Sequence, residues 1–348
     1  MSHPSGTVVS DRSLLAPDWD DRLRAAVVAA LTDPADAPGP ELARFRELQR
    51  DYPRRGGKGI RGRLVGLSAL AHGATEVQAL PVAAALELFQ NWVLVHDDVE
   101  DDSETRRGRP ALHRTAGVPV AINVGDAMHV AMWRRLIEGD VAHRSDVLLE
   151  FLAMIERTAE GQHLDLAWVA AHRFDVDEDA YLDMVRRKTA TYTVVSPLRL
   201  GALLAGRTPD PRFEPAGEAL GAAFQIRDDV LNLLPDEQGR YGKEFAGDLF
   251  EGKRTLVLAR AFEVLAALDA ERLRALLDRP RDAKTDAEMR EALALIASAD
   301  ALGYAQAIAE RMADEGLALL ERALDGLPGV DASTEIVGLV RTLAQRDA

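Results

Sequence analysis

Between Glu76 and Asp98 the chain is apolar around the whole circumference of a helix, and it then runs into Asp97, Asp98, Asp101 and Asp102. A helix without a polar face has to be covered on every side by other elements. With Thr75 as its N-cap, this segment is expected at the centre of a bundle, its acidic end at one rim. The rest of the sequence supplies the cover. Apolar residues recur at helical spacing in 20–31, 41–50, 117–138, 143–161, 177–206 and 213–234, and Ala/Leu-rich runs with Glu/Arg faces continue from Thr255 to Ala348. No sustained two-residue alternation marks a sheet. The expected fold class is all-α, in one domain, since no linker, repeat or low-complexity tract divides the chain.

Composition removes several functions. With no cysteine, a disulfide scaffold, thiolate-bound zinc, an iron–sulfur cluster and a cysteine nucleophile are excluded. Against 57 Asp plus Glu stand 42 Lys plus Arg, a net charge of −15, which argues against broad nucleic-acid binding. The apolar run Ala190–Gly206 is broken by Pro197 and Arg199 before it reaches the ~20 residues of a membrane span. The N-terminus has neither the basic nor the apolar region of a signal peptide. The expectation is a cytoplasmic protein without a transmembrane segment.

The loops at 52–62, 99–117 and 235–253 hold the unusual residues. Asp97 and Asp101 are four apart and Asp98 and Asp101 three apart, so on a helix they share a face. Such a carboxylate set suits Mg²⁺ better than zinc or copper. For this patch alone a solvated acidic helix end is an equal alternative. The pattern recurs, however, at Asp228, Asp229 and Asn232, again at the end of an apolar helix. Magnesium shares its shell readily with phosphate oxygens, so the implied ligand is a diphosphate or triphosphate. Cations cluster where that reading needs them: Lys58 and Arg61 in GGKGIRG, Arg106 and Arg107 in RRGRP, and Lys243 and Lys253 beside the second patch.

In order along the chain, GGKGIR, LVHDDVEDDSETRRGRP, GQHLDL, KTATY, FQIRDDVLN and DLFEGKRTL resemble the trans-isoprenyl (polyprenyl) diphosphate synthases over about residues 55–260. The resemblance implies a single-domain antiparallel helix bundle around a deep central cavity, spanning 17–348 behind a variable tail of 1–16, and a homodimer. It implies Asp97, Asp98, Asp101, Asp228, Asp229 and Asn232 as metal ligands, three Mg²⁺ per site with substrate bound. Lys58, Arg61, Gln90 and Arg107 would hold isopentenyl diphosphate. Arg106, Lys188 and Lys253, joined by Lys243, would hold the allylic diphosphate, with Thr189, Gln162 and Gln225 at the reaction centre. Three positions depart from the family pattern: Asn232 replaces an aspartate, and Gly62 and Val257 replace prolines.

Product length is expected to follow from the helix above Asp97, where Val93, Trp92 and Phe89 lie one to two turns down the same wall. Trp92 is about 7.5 Å along the axis from Asp97. An aromatic five positions before the first aspartate goes, in this family, with C15 or C20 products, and the smaller Val93 at four positions favours C20, geranylgeranyl diphosphate. Trp92 and Phe89 as plain core or dimer-contact residues is the alternative. Farnesyl diphosphate or a longer product are the other outcomes within the family. A terpene cyclase, faintly suggested by Asp229, Asn232 and Asp236, would not need Lys58, Arg61 and Arg107 for a second diphosphate. A non-catalytic regulatory subunit would be expected to lose one acidic motif, and both are present.

Overall fold

The structure, a computed structural model, describes residues 13–234 and 245–344. Lys243 and Asp236 lie outside the described residues. The first half of the chain forms α1 (Trp19–Ala29), α2 (Pro40–Gln49), the single turn α3 (Asp51–Arg54), α4 (Ile60–His72), α5 (Glu76–Glu100), α6 (Leu112–Ala116), α7 (Val118–Glu138) and α8 (Arg144–Ala170). The second half forms α9 (Glu178–Val185), α10 (Ser196–Leu204), α11 (Phe213–Asn232), α12 (Gly247–Glu251), α13 (Leu256–Val264), α14 (Ala267–Leu277), α15 (Asp286–Ser298), α16 (Ala301–Leu324) and α17 (Val330–Ala344). Among the described residues the only strands are a two-residue antiparallel pair, Thr105–Arg106 with Arg109–Pro110. The all-α expectation holds.

Helix α5 starts where the sequence says it should. Thr75 accepts the Gln78 N–H and the Gln78 side chain reaches back to the Thr75 N–H, a capping box. Its apolar circumference is covered by α1, α4 and α7, and Val82, Leu86, Leu88 and Phe89 are fully buried. By length and hydropathy α5 could cross a membrane, which the sequence reading overlooked, but 61% of that window is buried inside the protein, as in a core helix.

Two sequence expectations are corrected. The stretch 177–206 is not one regular helix: α9 passes through a π-helical segment, Arg186–Val195, into α10. A π turn widens the backbone and is favoured at functional sites. Two glycines clamp this segment. A Cβ at Gly161 of α8 would stand 2.2 Å from the Lys188 nitrogen, and one at Gly221 of α11 would stand 2.4 Å from the Ala190 Cα. Second, the loop expected at 52–62 narrows to 55–59, because Tyr52 belongs to α3 and α4 begins at Ile60. Of the tail expected at 1–16, residues 13–16 are described: Leu15 is buried and the Ala16 N–H donates to Glu76 Oε1 at 2.7 Å.

Candidate active site

The end of α5, the π segment, the end of α11 and α12 surround one cavity of about 560 Å³. Asp97 and Asp98 are in the last turn of α5 and Asp101 caps it. Neighbours on an α-helix point about 100° apart, and here that rotation divides their roles. Asp97 faces the cavity, where Lys188 Nζ approaches its Oδ1 at 3.4 Å, Arg106 Nη2 its Oδ2 at 3.5 Å, and Gln162 donates to it at 3.2 Å. Burial alone would raise its pKa, but Lys188, Lys253 and Arg106 outweigh burial and hold it well below the carboxylate range. Asp101 pairs with Lys253 Nζ at 2.7 Å. Burial pushes this carboxyl up to about 7, reinforced by Asp97 and opposed by Lys253.

Asp98 turns the other way. It is wholly buried, with one oxygen accepting from the Tyr52 hydroxyl and the other from Arg106 Nε at 2.8 Å. The Tyr52 hydroxyl in turn accepts the Leu112 N–H at 3.1 Å. Both Asp98 oxygens carry hydrogen bonds, so besides the metal-ligand role expected of it this residue fixes Arg106 at the rim and α6 behind it.

Across the cavity, Asp229 accepts from the Tyr181 hydroxyl at 2.6 Å and from Gln225 Nε2 at 2.7 Å, and burial pushes it up to about 6 despite both bonds. Thr189 donates to Gln225 Oε1 at 3.1 Å, which ties the π segment to the second acidic motif. Asp228 lines the cavity beside it. Asn232 Oδ1 accepts the Asp248 N–H at 3.0 Å and its carbonyl accepts the Ala246 N–H at 2.8 Å, so it anchors the start of α12. Lys253 follows α12 and also pairs with Glu251 at 2.8 Å. Lys188 Nζ lies 2.5 Å from Asp165, so that carboxylate, three residues after Gln162 on one face of α8, holds the lysine toward Asp97.

A second cationic group occupies the neighbouring wall. Lys58, Arg61, Gln90 and Arg107 all line the cavity, the first two at the N-terminus of α4, where backbone N–H groups favour an anion. Arg61 donates to Thr193 Oγ1 at 2.8 Å and lies over the Tyr192 ring at 4.6 Å. Arg107, in a left-handed conformation at φ 53°, donates to the Tyr52 carbonyl at 2.8 Å. Beneath them is Glu87, buried, its Oε1 accepting the Gly62 N–H at 3.0 Å. A proline at 62 could not make that bond, which accounts for one departure from the family pattern. Val257, another departure, is a buried core residue of α13.

Residues 43–296 match the sequence profile described as Polyprenyl synthetase. The chain is 38% identical to the short chain isoprenyl diphosphate synthase of Methanothermobacter thermautotrophicus, over 77% of this chain and 82% of that one. The chain belongs to the polyprenyl synthetase family. It is an enzyme, a trans-prenyltransferase. The geranylgeranyl diphosphate synthase of Sulfolobus acidocaldarius is 31% identical over 81% of this chain and 83% of its own length. Among solved structures, the Corynebacterium glutamicum geranylgeranyl pyrophosphate synthase, complexed with isoprenyl diphosphate and magnesium, superposes with a TM-score of 0.84 at 25% identity, covering 95% of this chain and 99% of that one.

The synthase uses residues that motif reading passed over. Tyr52, Glu87, Asp165 and Tyr181 are not among the expected site residues, yet they hold Asp98, Gly62, Lys188 and Asp229 respectively. Only Asp165 left a signal, its helical spacing from Gln162. The expected floor residues Phe89, Trp92 and Val93 all line the cavity below Asp97.

Proposed function

We propose that this prenyltransferase condenses isopentenyl diphosphate with an allylic diphosphate and releases mainly all-trans geranylgeranyl diphosphate. The observation that carries the reading is the division of one cavity into two anion sites: carboxylates with Lys188, Arg106 and Lys253 on one side, and Lys58, Arg61 and Arg107 without an acidic pair on the other. A cyclase taking one diphosphate would leave the second cationic group without a ligand.

The donor set fits magnesium. Asp97, Asp101, Asp228 and Asp229 are all-oxygen ligands, and among the described residues no three acidic or histidine side chains converge into a ready-made cage. Magnesium characteristically takes one or two carboxylates and completes its shell with water and phosphate oxygens. When bound, it would neutralise charge that develops on the leaving diphosphate. Lys188, Lys253 and Arg106 would bind the same oxygens and favour departure. As the allylic C–O bond breaks, a C–C bond forms from the isopentenyl double bond, and the proton lost from isopentenyl passes to the released diphosphate. Lys58, Arg61 and Arg107 hold isopentenyl diphosphate alongside, so orientation supplies part of the rate. Thr189 and Gln225, joined to each other, present oxygen atoms near the allylic carbon, and the apolar wall excludes water from the cation.

Trp92 in the wall supports a C20 limit, as do relatives named geranylgeranyl diphosphate synthase. A relative from Aeropyrum pernix, 32% identical over 82% of this chain, is named a geranylfarnesyl diphosphate synthase, which makes C25 the first alternative. A homodimer is also part of the proposal: Val118, Ile122, Val130 and Ile137 of α7 and Leu149 and Leu152 of α8 expose apolar side chains. Mass spectrometry of products from purified protein, Mg²⁺, isopentenyl diphosphate and each of the C5, C10 and C15 allylic diphosphates tests the reading. A dominant C20 diphosphate supports it; a dominant C15, or C25 and longer, refutes the length assignment.

A further inference from the structure

Trp92 is held in an unusual way. Its indole Nε1 is buried without a hydrogen-bond partner, so packing alone fixes the ring across the cavity wall. Phe89 meets it edge-on at 5.6 Å and His96 edge-on at 6.1 Å. Behind it, the His129 imidazole of α7 lies almost parallel, with ring centroids 4.0 Å apart and an interplanar angle of 14°. His129 does not drift freely, because Trp133 Nε1 donates to its Nε2 at 2.7 Å. Trp133 in turn packs at 6.4 Å on Phe151, a fully buried residue of α8. Three helices are thus linked through the row Phe151, Trp133, His129 and Trp92, and of these four rings only Trp92 lines the cavity, with Phe89 and His96 beside it.

We infer that His129 is a specificity-determining positioning residue: stacked on the back of Trp92 and locked by Trp133, it holds the indole as the floor against which chain growth stops. The inference rests on the proposed reading of Trp92 as that floor. The chemistry of the stack is specific. An imidazole that accepts from Trp133 at Nε2 carries its proton on Nδ1 and is uncharged. Burial pushes the His129 pKa below its ordinary value, opposed by Asp126 and aided by His96, which keeps that acceptor available. Without the imidazole, the indole has no parallel ring behind it and no hydrogen bond to stop its rotation. The chain then gains depth without any change at the two diphosphate sites.

Product distributions of four variants test this, with the rate of the first C5-to-C10 condensation and the urea midpoint measured alongside. His129→Ala is expected to raise the ratio of C25 to C20 product about tenfold, the factor one lost ring stack is worth. His129→Phe, which keeps a ring but not the acceptor, should raise the ratio less than His129→Ala does, with an unchanged first condensation. Trp133→Phe, which removes the donor of the same hydrogen bond, should match His129→Phe. Trp92→Ala is the control for the floor itself. Lengthening in Trp92→Ala with an unchanged ratio in both His129 variants overturns the role of His129 and leaves the floor intact. An unchanged ratio in Trp92→Ala overturns the floor, and this inference with it.

Discussion

One added methyl group at Gly161 tests whether the crossing of α8 over the π segment positions the reacting end of the enzyme. An alanine Cβ there would lie 2.2 Å from the Lys188 nitrogen, 2.6 Å from its Cα and 2.8 Å from its Cβ. Ordinary contact begins near 3.4 Å, so the two backbones must separate by about 1.2 Å, beyond what rotamer changes relieve. Overpacking of this kind costs ~1–3 kcal/mol, against a helix-propensity gain of about 1 kcal/mol. Net destabilisation of up to about 2 kcal/mol is therefore expected. Activity should suffer more, because Lys188 and Thr189 move with the backbone, and a displacement near 1 Å costs ~10²-fold. Urea unfolding together with kcat/KM reads both effects. Gly338→Ala in α17, where an added Cβ meets nothing within 4 Å, is the control; it should gain ~0.5–1 kcal/mol with turnover unchanged. A Gly161→Ala protein as stable as that control, with parental turnover, would refute the reasoning.

Other perturbations separate the remaining roles. Asp98→Ala strands the buried Arg106 charge and should cost ~3–5 kcal/mol in stability, whereas Asp97→Asn should abolish turnover with little effect on unfolding; the reverse pattern in calorimetry and kinetics would undo the division between them. Lys58→Ala removes one charged contact worth ~1.5–3 kcal/mol, so KM for isopentenyl diphosphate should rise ~10–100-fold. KM for the allylic substrate should hold; equal rises in both would contradict two separate sites. Lys284, whose ammonium donates to the Leu249 and Phe250 carbonyls at 2.8 Å, is pushed down by burial to about 8 from an ordinary 10.5. Between those values the unfolded chain binds the extra proton, so this group makes stability rise with pH across that window. The pH slope of unfolding free energy should be less positive in Lys284→Met; an unchanged slope there would show that Lys284 does not titrate this way.

Much of the architecture was legible because α5 left no choice: a helix apolar on every side and capped by Thr75 had to be central. Its acidic end is legible as a site, but spacing puts both Asp97 and Asp98 on a face with Asp101 and leaves undecided the different surroundings that the structure gives them. The π turn at Arg186–Val195 is not legible because its sequence, RRKTATYTVV, is mostly polar and carries no period that sets a π turn apart from a helix. The close approach of α8 and α11 to it depends on Gly161 and Gly221, whose role shows only once those helices cross it. Asn232 is expected as a ligand from its place in a motif; that its two carbonyl oxygens also accept the Asp248 and Ala246 N–H groups at the start of α12 is something the motif does not encode. The depth of Trp92 followed from helical rise alone. Its support by His129 required the pairing of α5 with α7, which no local pattern encodes.

The central claim is that two diphosphates occupy this one cavity and react with each other. Release of inorganic diphosphate, measured together with incorporation of labelled isopentenyl diphosphate in the presence of Mg²⁺, tests it directly. The account expects release only when both substrates are present, with one isopentenyl unit incorporated for each diphosphate freed. Release from an allylic diphosphate alone, with hydrocarbon or alcohol as the product, would contradict it.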